Sequence, residues 1–575
     1  MLYPQSNPFR QAINLSGIWD FCFDPGNSGA QAGWTNGFSD TRPIAVPASW
    51  NDQFAEGRDY LGGAWYQTRF DLPLGFDVAR QNIFLRFGSV NYFAEVWLNG
   101  ARVGSHEGGH LPFEFDVTTL LRREANALVV RVEGELAFDR VPPGNIVPTL
   151  TVSNEVKLPA ASFDFFPFCG IHRPVFLYTT PRGAIQDVTV TTDIAGTSGI
   201  VRAQIATREP SSARITLDGH NAHLVVETQS NAATFEVPHA ALWSCESPNL
   251  YTLTVELLRE GAVFDRYTLP IGIRTIQVVG DALWLNGKPV YLKGFGRHED
   301  FPVNGRGQNS AVNVKDFALL EWINANSFRT SHYPYAEEQM DLADRLGLLV
   351  IDETPAVGLF FAEQGLSRRL ELCRQMTREL IARDKNHPSV IMWSVANEPK
   401  SDHPNARAFF RDLYDLAKSL DATRPVTLVS NQGVQEESFA FMDLVCLNRY
   451  YGWYTNLGQI ETGAQKLSGE LDALYAKFHK PIILTEFGAD ALPGWHAVET
   501  ELFTEEFQVE MILRDIEILR SKSFVVGEHI WNLCDFKTAQ GLRRVGGINY
   551  KGAFTRERRP KMIAHRLRDL WQTKG

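Results

Sequence analysis

The sequence predicts a multidomain protein in which two β-sandwiches precede a C-terminal (β/α)8 barrel, the TIM barrel fold. The chain has 575 residues, which is too long for a single hydrophobic core. Its first half alternates apolar and polar residues in short runs separated by turn signals, which is typical of antiparallel sheets. After Tyr291, strand-like apolar runs alternate with amphipathic helical stretches, which is typical of repeated βα units.

The first domain is predicted over residues 1–182. It is rich in aromatic and β-branched residues, and the stretch FAEVWLNGARVG (93–104) alternates apolar and polar residues around Asn99 and Gly100. An Asn-Gly pair inside such a pattern is the strongest short hairpin signal. We therefore expect an antiparallel β-sandwich here.

The second domain is predicted over residues 183–275. Its stretches QDVTVTTDI and YTLTVELLR continue the alternating pattern, and Pro248 and Gly261 punctuate it. A length of about 90 residues suits an immunoglobulin-like sandwich.

The third domain is predicted over residues 276–575. It contains eight apolar runs, each at the start of a βα unit, and eight such units in about 300 residues match a (β/α)8 barrel. The runs are VYLKGFGRHED, SFRTSHYP, LLVIDETP, VIMWSVANEP, PVTLVSNQ, LVCLNRYYGWY, PIILTEFGAD and VVGEHIWNLCDF.

Polar residues come directly after these apolar runs, where the C-terminal ends of the strands are expected. In barrels of this kind that end carries the active site. The residues are His298, His332, Glu353, Glu398, Asn431, Asn448, Glu486 and Asp535.

Two glutamates in this set form a candidate catalytic pair. Glu398 in WSVANEP follows the fourth run and Glu486 in ILTEFG follows the seventh, so a closed barrel brings both carboxylates to one mouth. Glycoside hydrolysis requires such a pair: one acid protonates the leaving oxygen, and one carboxylate attacks or stabilises the anomeric carbon. Aromatic residues nearby offer walls on which a sugar ring can stack, namely Trp393, Tyr450, Tyr451, Trp453, Tyr454 and Trp531.

Composition limits the classes of partner. The net charge of −11 argues against a broad nucleic-acid surface. The chain has no run of 18 apolar residues, and its start lacks the features of a secretory signal, so we expect no membrane partner and a cytoplasmic location. The six cysteines lie far apart without a C-x-x-C pair, so we expect neither a disulfide framework nor a zinc site.

Across nearly its whole length the sequence resembles the β-glucuronidases of glycoside hydrolase family 2. The resemblance implies a jelly-roll-like sugar-binding sandwich, an immunoglobulin-like sandwich and a catalytic barrel, in agreement with the three predicted domains. The stretches that carry it are KGFGRHED, NSFRTSHYPYAEE, IDETPAVG, IARDKNHPSVIMWSVANEP, CLNRYYGWY, TEFG and FTRERRPK.

The resemblance also implies roles for individual residues. It makes Glu398 the acid/base and Glu486 the nucleophile of a retaining double displacement. Asn397 is then placed to hydrogen-bond the sugar 2-hydroxyl, a contact that strengthens in the oxocarbenium-like transition state. Further residues implied to bind substrate are Asp164, His298, His332, Asn448, Tyr450, Tyr454 and Trp531.

The stretch RVGGINYKGAF (544–554) corresponds to a family motif that binds the sugar acid. In these enzymes an Asn-x-Lys pair after the last strand grips the C6 carboxylate of glucuronic acid, and Asn549-Tyr550-Lys551 fits it. A lysine ammonium and an amide supply charge and a donor, with Arg544 as a further contact. Ile548 appears as an extra residue between VGG and the asparagine, which separates Arg544 from the motif.

Alternative activities share parts of this pattern. A β-galactosidase or β-mannosidase would keep both glutamates, but a neutral C6 hydroxymethyl group offers nothing for Lys551 to bind. A β-galacturonidase, or an enzyme that accepts both uronides, keeps the carboxylate and differs only at C4. A non-catalytic carbohydrate-binding protein would not need both glutamates. The mechanism requires no metal or cofactor, and the resemblance implies a homo-oligomer, either a dimer or a tetramer.

Overall fold

The N-terminal region folds as an antiparallel β-sandwich in the computed structural model, which describes residues 1–144, 161 and 163–572. Its strands are β1 Ala12–Asn14, β2 Gly17–Asp24, β3 Arg42–Val46, β4 Gly63–Phe70, β5 Gln81–Phe87, β6 Val90–Asn91, β7 Phe93–Leu98, β8 Ala101–Glu107, β9 Phe113–Asp116, β10 Asn126–Glu133, β11 Gly170–Ile171 and β12 Val175–Pro181, with helix α1 at Trp50–Gln53. One sheet has the strand order β1-β12-β5-β9, and the other has the order β3-β2-β4-β10-β7-β8.

The predicted Asn-Gly hairpin joins β7 to β8. Leu98 pairs with Ala101, so Asn99 and Gly100 alone make the turn, with φ angles of 54° and 82°. Two positive φ angles are what a type I′ turn needs, and asparagine and glycine tolerate them best.

A second sandwich follows, with the strands β13 Ile185–Ala195, β14 Ser198–Thr207, β15 Ser212–Gly219, β16 Ala222–Thr228, β17 Ala232–Val237, β18 Tyr251–Arg259 and β19 Ala262–Ile271. Its sheets have the orders β13-β14-β17 and β16-β15-β18-β19. Alternate residues of β17 are buried, and its inner face packs into a core that includes Ile215 and Leu253. This alternation is expected where one face of a sheet is solvated.

The third region is a closed parallel barrel, preceded by a small sheet of β20 Ile276–Val279, β21 Ala282–Leu285 and β22 Lys288–Pro289. Each of the eight predicted runs contains one barrel strand, so the predicted fold is confirmed. The barrel strands are β23 Leu292–Gly296, β24 Ser327–Arg329, β25 Leu349–Glu353, β26 Val390–Asn397, β27 Val426–Ser430, β28 Val445–Asn448, β29 Ile482–Glu486 and β30 Val525–Ile530.

Helices surround the barrel, and a short hairpin of β31 Phe536–Lys537 and β32 Ile548–Asn549 follows the last barrel strand. The helices are α2 Ser310–Trp322, α3 Glu337–Leu346, α4 Leu366–Asp384, α5 Ala406–Leu420, α6 Ile460–Phe478, α7 Glu505–Arg520 and α8 Met562–Trp571. Among the residues that the structure describes, no helix combines the length and the apolar character that a membrane span requires.

Ion pairs fasten the first sandwich to the barrel. Arg86 of β5 lies 2.8 Å from Glu337 at the start of α3. Arg556, which precedes α8, pairs with Asp52 of the sandwich at 2.8 Å and with Asp300 of the barrel at 2.5 Å. The sandwich is therefore held over the C-terminal end of the barrel, where β23 ends near Asp300.

Candidate active site

A cavity of about 400 Å³ opens at the C-terminal ends of the barrel strands. Its volume lies within the usual range for a small-molecule site. Eight of the residues predicted from the sequence line it: Asp164, His332, Asn397, Glu398, Tyr450, Tyr454, Glu486 and Trp531.

Glu398 follows β26 directly and sits among amide donors. Asn448 Nδ2 donates to its Oε1 at 2.8 Å, and Asn431 Nδ2 donates to its Oε2 at 3.0 Å. Burial raises the pKa of Glu398, and the nearby Glu486 charge raises it further. Its backbone has a φ of 45°, a left-handed conformation that costs a non-glycine residue about 1–3 kcal/mol. The backbone of Glu398 is therefore strained, and the surroundings of its carboxyl group favour the protonated form.

Glu486 ends β29 and has different neighbours. Arg329 Nη2 donates to its Oε1 at 2.5 Å, and Tyr450 Oη donates to its Oε2 at 2.8 Å. Burial raises the pKa of Tyr450 well above its usual value, and the charge of Glu486 adds to this effect, so the phenol keeps its proton. A guanidinium and a phenol thus bind the carboxylate form of Glu486.

Arg329 is the central cation of the site, and sequence reasoning missed it. Its Nη1 also donates to both carboxylate oxygens of Glu353, at 2.8 and 2.9 Å. Burial raises the pKa of Glu353, but Arg329 and His332 outweigh burial and hold that pKa below its usual value. In the sequence, Arg329 is the last residue of the short run SFR. Nothing in that run distinguishes it from an ordinary strand residue.

Aromatic rings form one wall of the cavity. The rings of His332 and Trp531 are stacked, with centroids 4.9 Å apart and planes inclined by 21°. His298 was predicted to line the cavity, but its ring lies one layer behind the wall, packed on Trp531 at 5.2 Å and on Phe536 at 4.3 Å. Burial lowers the pKa of His298 well below its usual value, so the ring is neutral. His298 therefore supports the wall in this structure.

Lys551 is fully buried behind Tyr454 at one end of the cavity. Its Nζ lies 2.8 Å from Tyr454 Oη and 2.5 Å from Asp490 Oδ2. Arg544 Nη2 donates to the same tyrosine oxygen at 2.6 Å. A buried lysine whose ammonium meets a residue of the cavity wall is not a solvated loop side chain.

Asn549 and Arg544 meet the carboxylate of Asp164, which the first sandwich contributes. Asn549 Nδ2 donates to Asp164 Oδ2 at 2.8 Å, and Arg544 Nε donates to Asp164 Oδ1 at 2.9 Å. Ile548 lies with Asn549 in β32, opposite Lys537, so the additional residue is accommodated within the hairpin. In this structure the Asp164 carboxylate accepts hydrogen bonds from Arg544 and Asn549, the residues that were predicted to bind a sugar acid.

Asp490 is a second functional candidate that the sequence did not single out. It is buried, pairs with Lys551, lies 3.3 Å from Arg544 and accepts the Tyr550 N–H at 2.8 Å. Burial raises its pKa, but Lys551 and Arg544 outweigh burial, and the net shift is downward. With Asp164 and Asp490, this end of the cavity has two cations and two carboxylates.

A possible metal cluster among the described residues lies elsewhere. Asp341, Asp344 and His387 come close enough to share an ion at the N-terminal end of the barrel. Asp344 already accepts His387 Nδ1 at 2.6 Å and the Ser389 N–H at 3.0 Å. These hydrogen bonds hold the loop before β26, and this structural role explains why the three residues lie close together.

Three family profiles together match almost the whole chain. The profile described as "Glycosyl hydrolases family 2, sugar binding domain" matches residues 13–181, "Glycosyl hydrolases family 2" matches residues 183–274, and "Glycosyl hydrolases family 2, TIM barrel domain" matches residues 276–574.

Individual relatives match this chain over nearly their full length. A β-glucuronidase from Paenibacillus borealis is 42% identical, with 100% of this chain and 99% of the relative covered. The human β-glucuronidase is 39% identical, with 99% and 92% covered. A solved β-glucuronidase from Ruminococcus gnavus, in complex with D-glucaro-d-lactam, superposes with a TM-score of 0.95 at 37% identity and covers 99% of both chains.

Proposed function

The chain belongs to glycoside hydrolase family 2, and we propose that it is a retaining exo-acting β-glucuronidase. It releases glucuronic acid from terminal β-D-glucuronides and leaves an alcohol or aglycone. The observation that carries this proposal is the pairing of Glu398 and Glu486 on one cavity whose far end holds the cationic residues Lys551 and Arg544.

The chemistry follows from the different states of the two glutamates. Glu486, which accepts a hydrogen bond from Arg329, attacks the anomeric carbon and forms a covalent glycosyl-enzyme intermediate. Glu398, whose pKa burial raises, gives its proton to the departing glycosidic oxygen. In the second step Glu398 takes a proton from water, the water attacks the same carbon, and Glu486 leaves. Two inversions at that carbon retain the β configuration.

Neighbouring residues orient the sugar in this proposal. Asn397 lies beside Glu398, and its Oδ1 accepts a hydrogen bond from Asn448 at 3.2 Å, which leaves its amide N–H groups to meet the 2-hydroxyl. Tyr450 holds the nucleophile and releases it as the covalent bond forms. The stacked rings of His332 and Trp531 provide an apolar surface for the sugar ring.

The substrate carboxylate binds where Asp164 now sits. Asp164 is 48% exposed and lies on the cavity wall, so its side chain can turn toward a sugar hydroxyl. Arg544 and Asn549 then lose their hydrogen bonds to Asp164 and donate to the C6 carboxylate instead. The ammonium of Lys551, beside Tyr454, contacts the same carboxylate. Exchange of one carboxylate for another keeps the local charge balanced, which limits the cost of burying the sugar acid.

Three related activities differ from the proposed one in what they require of the site. A β-galactosidase or β-mannosidase has no use for a buried lysine and arginine at the C6 end of the site. A β-galacturonidase, or an enzyme that accepts both uronides, differs only in its contacts at C4. A non-catalytic carbohydrate-binding protein would not need the two glutamates in their different electrostatic settings.

Four p-nitrophenyl glycosides test the proposal: the β-D-glucuronide, β-D-galacturonide, β-D-galactoside and β-D-mannoside. We expect the highest kcat/KM on the glucuronide. Equal or higher kcat/KM on the galacturonide would change the assignment to that uronidase, and higher kcat/KM on either neutral sugar would refute the role of Lys551.

The assembly and compartment of the protein are further proposals. We infer a homo-oligomer from the family resemblance, and light scattering coupled to size-exclusion chromatography measures its mass against the 64.6 kDa of one chain. A cytoplasmic location fits the six cysteines, which are all free thiols. Cell fractionation followed by a glucuronide assay tests it. The proposed reaction uses only side chains and water.

A further inference from the structure

A second, larger cavity lies at the opposite end of the barrel from the catalytic site. It measures about 590 Å³ and lies between strands β13 and β14 of the immunoglobulin-like domain and the loop that precedes β27. Its size falls within the range of small-molecule sites. None of the catalytic residues proposed above lines it.

A buried arginine faces this cavity without a carboxylate partner. Arg274 is 5% exposed, and its guanidinium donates only to the backbone carbonyls of Pro388, at 3.1 Å, and Val390, at 2.7 Å. Its Nη1 has no hydrogen-bond partner among the residues described here. Burial lowers the pKa of Arg274 to about 9 and the Arg424 cation lowers it further, while the charges of Asp421 and Asp344 offset only part of this shift. A buried cation with no carboxylate in direct contact is costly, which favours binding of an anion.

The other buried or part-buried cations of the cavity have carboxylate partners of their own. Arg424 pairs with Asp421 at 2.7 Å, and Lys418 pairs with Asp443 at 3.2 Å. Asp443 is further occupied by the Val426 N–H at 2.7 Å and by the Tyr414 hydroxyl at 2.9 Å.

Two charged side chains of the immunoglobulin-like domain complete the wall, Asp193 and Arg202. Both are exposed, and no ion pair of Arg202 occurs in the described part of the chain. Asp193 can offset one positive charge at most, so Arg274 and Arg202 together leave the cavity with an excess of positive charge.

We propose that this cavity binds a small phosphate ester. Arginine guanidinium groups match the oxygens of a phosphate in a two-pronged hydrogen bond. The Nη1 of Arg274 supplies one contact, and the exposed Arg202 supplies a second one nearer to solvent. Threonine side chains at 191 and 275 on the same wall offer hydroxyl donors. The volume leaves room for a sugar or another polar group attached to the phosphate.

The cavity adjoins the first residue of β26. Both Arg274 and Arg424 donate to the carbonyl of that residue, Val390, at 2.7 and 2.6 Å. The same strand ends at Asn397, next to Glu398. The cavity and the proposed acid/base therefore lie at opposite ends of one strand.

Isothermal titration calorimetry of the full chain tests the proposal, with glucose 6-phosphate and inorganic pyrophosphate as probes. We expect one site per chain and a dissociation constant below about 1 mM. Arg202→Glu reverses an exposed charge without disturbing the core, and it should weaken binding at least about tenfold. Arg182→Glu, a matched reversal just before β13 and outside the cavity wall, should leave the affinity unchanged.

A second comparison separates this cavity from the catalytic one. Lys551→Met removes a cation of the catalytic site, so it should not alter the affinity for either phosphate. Absence of saturable binding up to about 10 mM, or equal affinity of Arg202→Glu and the unchanged protein, would overturn the proposal. Loss of binding in Lys551→Met would also overturn it, because the phosphate would then occupy the catalytic cavity.

Discussion

Glu398 and Glu486 share one cavity, but their neighbours differ. Glu398 meets two amides and has a raised pKa, while Glu486 meets a guanidinium and a phenol. Environments that separate two carboxyl groups in this way assign the acid to one and the nucleophile to the other. The roles proposed here therefore follow from local electrostatics as well as from family resemblance.

Removal of each glutamate should have a different effect on substrates with different leaving groups. Glu486→Ala lacks the nucleophile and should lose turnover on every β-glucuronide. Glu398→Ala lacks the proton donor, so it should lose about 10²–10⁴ in the glycosylation rate on an alkyl glucuronide and much less on a 2,4-dinitrophenyl glucuronide. Pre-steady-state release of the phenol measures this step. The same dependence on leaving-group acidity in both variants would refute the assignment.

The pH profile tests the hydrogen bonds of Glu398. Asn448 donates to the carboxylate, and this donation lowers the pKa of Glu398 against the effect of burial. Asn448→Ala removes the donor, so the pKa should rise and the acid should stay protonated to higher pH. The alkaline limb of kcat/KM should move upward in pH, whatever happens to the maximum rate. A limb that stays in place or moves downward would contradict the proposed role of Glu398.

Lys551 should act as the residue that distinguishes a sugar acid from a neutral sugar. A charge-assisted hydrogen bond contributes about 1.5–3 kcal/mol, or about ten- to a hundredfold in kcat/KM. Lys551→Met, which keeps the volume of the buried chain, should lower kcat/KM on p-nitrophenyl β-glucuronide by about that factor. The weak activity on the β-glucoside should stay the same or rise. An equal loss on both sugars would mean that Lys551 only supports Asp490 and the loop.

Residues at the end of a strand or directly after it could be predicted from the sequence, because a strand end fixes where a side chain points. Glu398, Glu486 and Asn448 belong to this group. Arg329 and Asp490 could not be predicted, because their importance lies in ion pairs with residues that are distant in the sequence. The place of His298 behind Trp531 could not be predicted either, since it depends on how the rings pack.

Among the helices and strands, the barrel strands were the easiest to predict. Strands buried on both faces, such as β26, give continuous apolar runs that end at polar residues. Two-residue strands such as β6, β11 and β31 escaped prediction, because their pairing depends on neighbours that only the folded chain brings close.

The segment before α8 should contribute to the contact between the first sandwich and the barrel. Arg556→Met leaves the part-buried carboxylates of Asp52 and Asp300 short of one partner, which should cost about 1–3 kcal/mol. We expect the midpoint of thermal unfolding to fall by about 1–4 °C in differential scanning calorimetry. As a control, Arg411→Met breaks an exposed pair with Asp415 and should change the midpoint little. Equal shifts would show that the Arg556 contacts are no stronger than a surface pair.

The proposed sugar site depends on two domains. Asp164 from the first sandwich meets Arg544 and Asn549 from the hairpin after the barrel. The sequence predicted three domains and their order, but not the interdomain cavity at Arg274, because no motif marks a space between two surfaces. Both cavities thus result from how the domains pack together.

The proton NMR spectrum of p-nitrophenyl β-D-glucuronide, followed during hydrolysis by the purified protein, shows directly which anomer is released. We expect the β anomer of free glucuronic acid to appear first and the α anomer to follow only through mutarotation. An α anomer that appears first would contradict the double displacement by Glu398 and Glu486. Absence of glucuronic acid would contradict the proposed function itself.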